Sequence, residues 1–339
     1  MINLSEFPAI FSGKNVLITG GLGFIGSQLA ARLVTLRANV TLVDSLIPEY
    51  GGNLANIEPI KDQVQVNIAD VRDEHSMDYL VRERDFLFNL AGQTSHADSM
   101  TNPYTDLDIN CRAQLSILEA CRKHNQKIKL VFASTRQIYG KPDYLPVDEQ
   151  HLLHPTDVNG INKMAGEWYH ILYNNVYGIR SVSLRLTNTY GPCMRVKDAR
   201  QTFLGIWIKK LIDGQPIDVF GDGKQLRDFN YVDDVVDVML LSAADEAANG
   251  QIYNLGSDEV VSLADLAQTM VEVNAASGGS AGEFRIVPFP PERKAIDIGD
   301  YYANYYKAKH MLGWQPRIKL REGIRRSLEY YRANREKYW

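Results

Sequence analysis

The chain has 339 residues, 45% of them hydrophobic, and a formal net charge of −4, which suffices for one large or two modest domains with an ordinary packed core and leaves no broad basic field for nucleic acid. Met1 to Ile10 lacks a basic stretch followed by an apolar core, and no apolar run approaches the roughly 18 residues of a membrane helix, so a cytoplasmic protein without membrane association is expected. The three cysteines, Cys111, Cys121 and Cys193, show no metal-ligand spacing, so neither a metal site nor a disulfide framework is predicted.

Val16 to Ile18 is a short apolar run suited to a buried parallel strand, and Ser27 to Arg37 continues at helical period. Between them stands Thr19-Gly20-Gly21-Leu22-Gly23-Phe24-Ile25-Gly26, which puts the glycines at a strand-to-helix turn. Glycine there lets the backbone approach a pyrophosphate, and the free N–H groups and positive end of the new helix attract its charge. Val40 to Val43 is a second strand that ends in Asp44, where a carboxylate can bond both ribose hydroxyls of NAD and would repel a 2′-phosphate. A glycine-rich turn without a ligand is the bland alternative. Strand, helix and acid in one order argue against it.

Further strand-like runs follow at Val64–Ile68, Phe86–Leu90, Leu130–Ala133 and Ser181–Leu186, with helices predicted over Asn102–His124 and Asn159–Tyr177. This alternation predicts an α/β chain with a Rossmann-type doubly wound parallel sheet. Beyond Gly191 the pattern is mixed: a helix near Gln201–Asp213, a short run at Ile217–Phe220, then helices at Val232–Ser242 and Ser262–Asn274. We therefore expect a dinucleotide domain over residues 1–190 and a smaller mixed α/β substrate-binding lobe over 191–339, with an interleaved boundary.

Ligands of such sheets lie at the C-terminal ends of the strands. Those positions hold Ala91-Gly92-Gln93, then Ser134-Thr135-Arg136-Gln137-Ile138-Tyr139-Gly140, and Thr187-Asn188-Thr189-Tyr190-Gly191-Pro192. Asn159-Gly160-Ile161-Asn162-Lys163 opens a helix 24 residues past Thr135. With these turns the chain resembles, nearly end to end, the extended short-chain dehydrogenase/reductase family, in its nucleotide-sugar epimerase and dehydratase group. The resemblance also rests on Asp70-Val71, Asn110, Arg185 to Pro192, Gly221 to Asp234, Asn254-Leu255-Gly256 and Leu312 to Pro316.

The resemblance implies NAD as cofactor and a nucleotide diphosphate sugar as substrate. It assigns Gly20, Gly23, Phe24, Ile25 and Gly26 to the cofactor's phosphates, and Asp44, Asp70 and Val71 to its adenosine half. Ala91, Gly92 and Asn110 would line it, Lys163 would hold the nicotinamide ribose, and Asn188, Arg227 and Arg293 would hold the sugar nucleotide's diphosphate or attached ribose. Arginines also form plain surface ion pairs, but always-charged guanidinium groups suit phosphoryl oxygens. The helices Asn102–His124 and Asn159–Tyr177 correspond to those through which the family dimerises, so a homodimer is expected.

The family's catalytic tyrosine, four residues before its lysine, is Asn159 in this chain. An amide orients a hydroxyl by hydrogen bonding but does not serve as a general base. The catalytic set expected is thus Thr135 as hydrogen-bond partner of the reacting hydroxyl, Lys163 as cofactor anchor or base, and Asn159 as orienting group. Tyr139, His151, His154 and Cys193 are other candidate bases, each with a structural or solvated role as its bland alternative. Arg136-Gln137 stands where the family's 4,6-dehydratases carry Asp-Glu, and Gln137 where its decarboxylases carry glutamate, so epimerisation is favoured by elimination. Dehydration or decarboxylation with repositioned acids, and a catalytically silent NAD and sugar-nucleotide binder, are the alternatives.

Overall fold

The computed structural model describes residues 2–198, 200, 202–280 and 282–339. A short helix α1 (Phe7–Phe11) precedes β1 (Asn15–Thr19), α2 (Phe24–Thr35), β2 (Asn39–Asp44), β3 (Val64–Ile68), α3 (Glu74–Leu80) and β4 (Phe86–Asn89). Then come α4 (His96–Thr101), α5 (Pro103–Leu107), α6 (Ala113–His124), β5 (Lys129–Thr135), α7 (Val158–Tyr177), β6 (Arg180–Leu186), β7 (Asn188–Tyr190) and α8 (Phe203–Ile212). Gln201, where the sequence begins that last helix, lies outside the described residues. The remainder includes β8 (Ile217–Phe220), β9 (Leu226–Tyr231), α9 (Val232–Ala244), β10 (Ile252–Asn254), β11 (Val260–Ser262), α10 (Leu263–Ala276) and β12 (Phe284–Val287).

Seven strands form one parallel sheet in the order β10-β6-β5-β4-β1-β2-β3. After β1 the chain moves outward to β2 and β3 and returns to β4 on the other side, so the order reverses between β1 and β4. That doubly wound arrangement agrees with the expected fold class. Alternating short strands buried on both faces, such as Val16 to Thr19, Leu42 to Val43 and Leu130 to Ser134, require helices on each side to cover them. The smaller sheets, β11-β9-β7 and β12-β8, gather outside the strand ends. The short strands at Asn188–Tyr190, Leu226–Tyr231, Val260–Ser262 and Phe284–Val287 escape a reading by periodicity, because three to six residues carry too little pattern.

The helix predicted over Asn102–His124 is broken. A π-helical turn at Asp108–Arg112 separates α5 from α6. The widened turn is stitched by Gln114, whose Nε2 donates to Ile109 O at 3.0 Å, and it directs Asn110 inward to donate from Nδ2 to Gln93 O at 2.9 Å.

Helix α7 starts at Asp157, whose carboxylate accepts from the Gly160 amide at 2.7 Å, and stops at left-handed Gly178. Its inner face is polar. Glu167 meets Arg185 of β6 through three bonds of 2.5, 3.0 and 3.2 Å, with both side chains at most 2% exposed. Arg185 also donates to Tyr139 Oη, which donates to Asn254 Oδ1 at 2.7 Å, so one charge pair links α7, β6, the turn after β5 and β10. Replacing one member leaves a buried charge unpaired. Arg185→Leu is expected to cost about 3–5 kcal/mol in urea unfolding, and adding Glu167→Leu to recover much of the loss; a single variant as stable as the parent would contradict this account.

Candidate functional site

The reversal of strand order opens a cleft of about 900 Å³ at the C-terminal ends of the parallel strands. Thr19 at the end of β1 pins its floor. Its hydroxyl accepts from the amides of Leu90 and Ala91, each at 3.1 Å, and donates to Asn89 Oδ1 at 2.9 Å. Gly20 then takes a φ of +68°, and Gly23 caps α2. A Cβ on Gly26 would stand 2.2 Å from Gly20 O, so the turn closes only with hydrogen at that position.

At the end of β2, Asp44 accepts from the amides of Leu22 at 3.0 Å and Leu46 at 2.9 Å, one bond on each oxygen. Each oxygen keeps a lone pair, and burial raises the carboxyl's pKa despite the two bonds. Asp70 follows β3 and is held low by its bidentate pair with Arg72. On the other side of the reversal, a Cβ on Gly92 would meet Lys163 Nζ at 2.9 Å and Asn110 Oδ1 at 3.0 Å. That Asn110 oxygen is buried and, among the described residues, unpartnered. The bare glycine turn, a two-oxygen acid at the second strand end and an orphan carbonyl beside Lys163 fit NAD.

Lys163 donates from Nζ to Ala133 O at 3.1 Å, with the Phe132 ring 5.1 Å away. Burial brings its pKa down to about 8, partly opposed by the charge of Asp106. Thr135 ends β5 with its hydroxyl accepting from the Gln137 amide at 3.2 Å. Asn159, expected as an orienting group, lines the cleft and is itself held in place. Its Nδ2 donates to Gln93 O at 2.8 Å and to Asp106 Oδ2 at 3.0 Å, while Asn162 donates to the other oxygen of Asp106. Both amide hydrogens are committed to holding α7 to the preceding segment.

The smaller sheets supply the basic side. Asn188 donates to Asp228 O at 2.9 Å, and Arg227 donates to the carbonyls of Leu226 and Gly299 with Asp297 at 3.7 Å. Arg293 lies 5.4 Å from the Phe220 ring, whose neighbour Phe289 completes an aromatic wall. Arg136 belongs with these groups, although its position after Thr135 reads from sequence only as a departure from dehydratases. It donates to Asn188 Oδ1 at 3.2 Å, lies 5.1 Å from the Tyr301 ring, and keeps Nη1 buried without a partner among the described residues. Burial lowers the pKa of Arg227 to about 10, and the charge of Arg136 pushes it the same way.

Every candidate binding or catalytic residue taken from the sequence lines this cleft except Asn110, which reaches it from behind Gly92. The candidate substitute bases are elsewhere. Tyr139 is fully buried against Arg185 and Asn254, and His151 is tied between the Asp143 amide and Leu152 O. Cys193 is buried at 3.1 Å from Gln28 Nε2 and 3.3 Å from Tyr330 Oη, and neither it nor His154 lines the cleft. No group of three or more potential metal ligands occurs among the described residues, and none of their helices is long and apolar enough to cross a membrane.

Residues 16–256 match the model of the NAD dependent epimerase/dehydratase family. A putative UDP-glucose 4-epimerase of Methanocaldococcus jannaschii is 35% identical over 320 residues, covering 94% of this chain and 99% of that protein. The UDP-N-acetyl-alpha-D-glucosaminuronate decarboxylase of Bacillus cytotoxicus is 30% identical, covering 94% and 98%. Among solved structures, the UDP-glucose 4-epimerase of Thermotoga maritima with UDP-glucose superposes with a TM-score of 0.84 at 29% identity, covering 94% and 99%.

The buried lysine generates a stability prediction. The unfolded chain keeps the Lys163 proton to near 10.5, whereas the fold releases it near 8. The charged ammonium therefore costs the NAD-free fold about 3 kcal/mol below pH 8, and the cost fades as pH rises toward 10.5. Lys163→Met is expected to raise the melting temperature at pH 7 and to lose that advantage near pH 10. An equal difference at both pH values would refute the assignment.

Proposed function

The chain belongs to the NAD dependent epimerase/dehydratase family, and from that premise we propose that it epimerises the sugar of a nucleotide diphosphate sugar. The observation that carries this reading is one continuous cleft. In it the glycine turn and Asp44 share a lining with Thr135 and Lys163 and with Asn188, Arg227 and Arg293. Bound NAD supplies a hydride acceptor that withdraws hydrogen from a sugar carbon and returns it to the opposite face.

Gly20, Gly23 and Gly26, with the start of α2 at Phe24 and Ile25, hold the cofactor's pyrophosphate. Asp44 takes its adenosine ribose, Asp70 and Val71 flank the adenine, and Ala91, Gly92 and Asn110 line its path to Lys163. Thr135 bonds the reacting hydroxyl. Arg227, Arg293 and Asn188 hold the diphosphate, and Arg136 adds Nη1, a donor already desolvated and without an acceptor among the described residues. Two neighbouring guanidinium groups whose charge is disfavoured by burial gain most when a dianion enters. Epimerisation is preferred to dehydration or decarboxylation because Gln137, where those reactions place an acid, donates its side chain to Asp157 at 2.9 Å.

NAD-loaded protein is expected to convert at least one UDP-, GDP-, CDP- or dTDP-sugar to an isomer of unchanged mass. Arg227→Ala should raise KM more than it lowers kcat. A product lighter by water or carbon dioxide would transfer the protein to the alternative chemistry, and no turnover with any member of the panel would sink the proposal.

We also read the protein as a homodimer. Ile161, Trp168, Leu172 and Val176 form an exposed apolar stripe at helical spacing on α7, and Tyr104 and Leu107 of α5 are exposed as well. Paired copies bury that stripe in a helical bundle. Trp168→Glu with Leu172→Glu is expected to halve the mass in sedimentation equilibrium; a parent protein that sediments as one chain would overturn the dimer.

A further inference from the structure

With Asn159 committed to Gln93 and Asp106, the proposed reaction lacks a proton acceptor at the position where the family resemblance places a phenol. Lys163 is a poor substitute by geometry, since Nζ is held at Ala133 O and packed against Gly92. Among the described residues one imidazole lines the cleft, that of His96.

His96 opens α4, and its environment is specific. Its backbone oxygen accepts from Ser99 Oγ at 2.7 Å, and that same Oγ accepts from the Asn159 amide at 3.2 Å. The side chain is 38% exposed, yet Nδ1 is buried and lies 2.9 Å from Oδ2 of the fully buried Asp157, an ion-pair distance without hydrogen-bond alignment among the described residues. Asp157 is fixed in turn by the Gly160 amide at 2.7 Å and by Gln137 Nε2 at 2.9 Å. The Gln137 amide bonds Thr135 Oγ1. Asp157 thus stands between the His96 ring and the Gln137 side chain, Gln137 meets Thr135 through its backbone amide, and Ser99 joins the backbones of His96 and Asn159. Burial favours the neutral form of Asp157, but its contacts, that with His96 foremost, hold its pKa below the usual value.

We propose that His96, oriented by Asp157, is the proton acceptor and donor of the epimerisation proposed above, on which this assignment rests. A carboxylate 2.9 Å from Nδ1 favours the proton on that nitrogen, which leaves Nε2 of a cleft-lining imidazole with a free lone pair, and it stabilises the imidazolium that forms. In the oxidising step the sugar O–H bond breaks, its proton joining Nε2 and its electron pair becoming the second bond of the carbonyl. NAD, held by the residues named above, would supply the acceptor for the electron pair of the C–H bond on the same carbon, as hydride, and would return it to the other face. The imidazolium then returns its proton to oxygen, so both transfers are reversed.

Two measurements test the assignment. His96→Gln keeps an amide donor for Asp157 and removes the base, so kcat is expected to fall ~10²–10⁴-fold while NAD content and KM stay near the parent's. In unaltered holoenzyme, diethyl pyrocarbonate should label His96, located by peptide mass, and a sugar nucleotide that turns over should slow that labelling where NAD alone does not. An active parent with an equally active His96→Gln variant, or labelling that the sugar nucleotide leaves unchanged, would overturn the base and leave the epimerase reading standing. A parent inactive on every sugar nucleotide would overturn both.

Discussion

Helix α7 buries Asn159, Asn162, Lys163, Glu167 and His170, and a buried face that polar is tolerable only if nearly every group is answered by another element; among the described residues His170 Nε2 is left without a partner. Asp106 answers both asparagines, Ala133 O answers the lysine, Arg185 answers the glutamate and Ser181 Oγ meets His170 Nδ1 at 2.7 Å. These partners come from α5, β5 and β6, so the position of the helix is over-determined by polar contacts before any apolar packing is counted. The site inherits that precision. Asp157 at the head of the helix and Lys163 one and a half turns inward are fixed by the same network that fixes the sheet around them.

The cost of this arrangement falls on charge. Lys163, Arg136 and Arg227 are all held in surroundings that disfavour their charged forms, and burial is the leading cause at each. A protein that desolvates cations without pairing them fully stores an attraction for anions. Here these incompletely paired cations border a single cleft, which favours the entry of an anion.

Much of the central sheet is legible in the sequence because its strands are short, apolar and separated by helices of clear period, and because the glycine turn and Asp44 sit at consecutive strand ends. The candidate binding residues follow from the same rule, since strand ends converge on one cleft. The rest depends on contacts between distant segments. The π-turn at Asp108–Arg112 inserts itself into an uninterrupted helical pattern, and Asn110 benefits from a widening that no local propensity signals. The commitment of the Asn159 amide requires Asp106, which lies 53 residues earlier. Nothing in the sequence singles out His96, because Asp157, 61 positions later, comes within 2.9 Å of its Nδ1 only through the fold. Motifs report what residues are suited to do, while the partners that redirect them are supplied by topology.

The edge strand β10 has a further consequence. The chain leaves the large sheet after β6, builds much of the covering layer, and returns to lay Ile252–Asn254 beside Ser183–Arg185. Asn254 then meets Tyr139, and its amide donates to Glu149 at 2.7 Å. The two layers are consequently sewn together, and a gene fragment ending near residue 190 would encode a sheet with an open edge and a Tyr139 hydroxyl deprived of its acceptor on Asn254. Such a chain is not modular. Exchange of substrate preference between relatives of this architecture is better sought by replacing loops on the covering layer than by recombining halves.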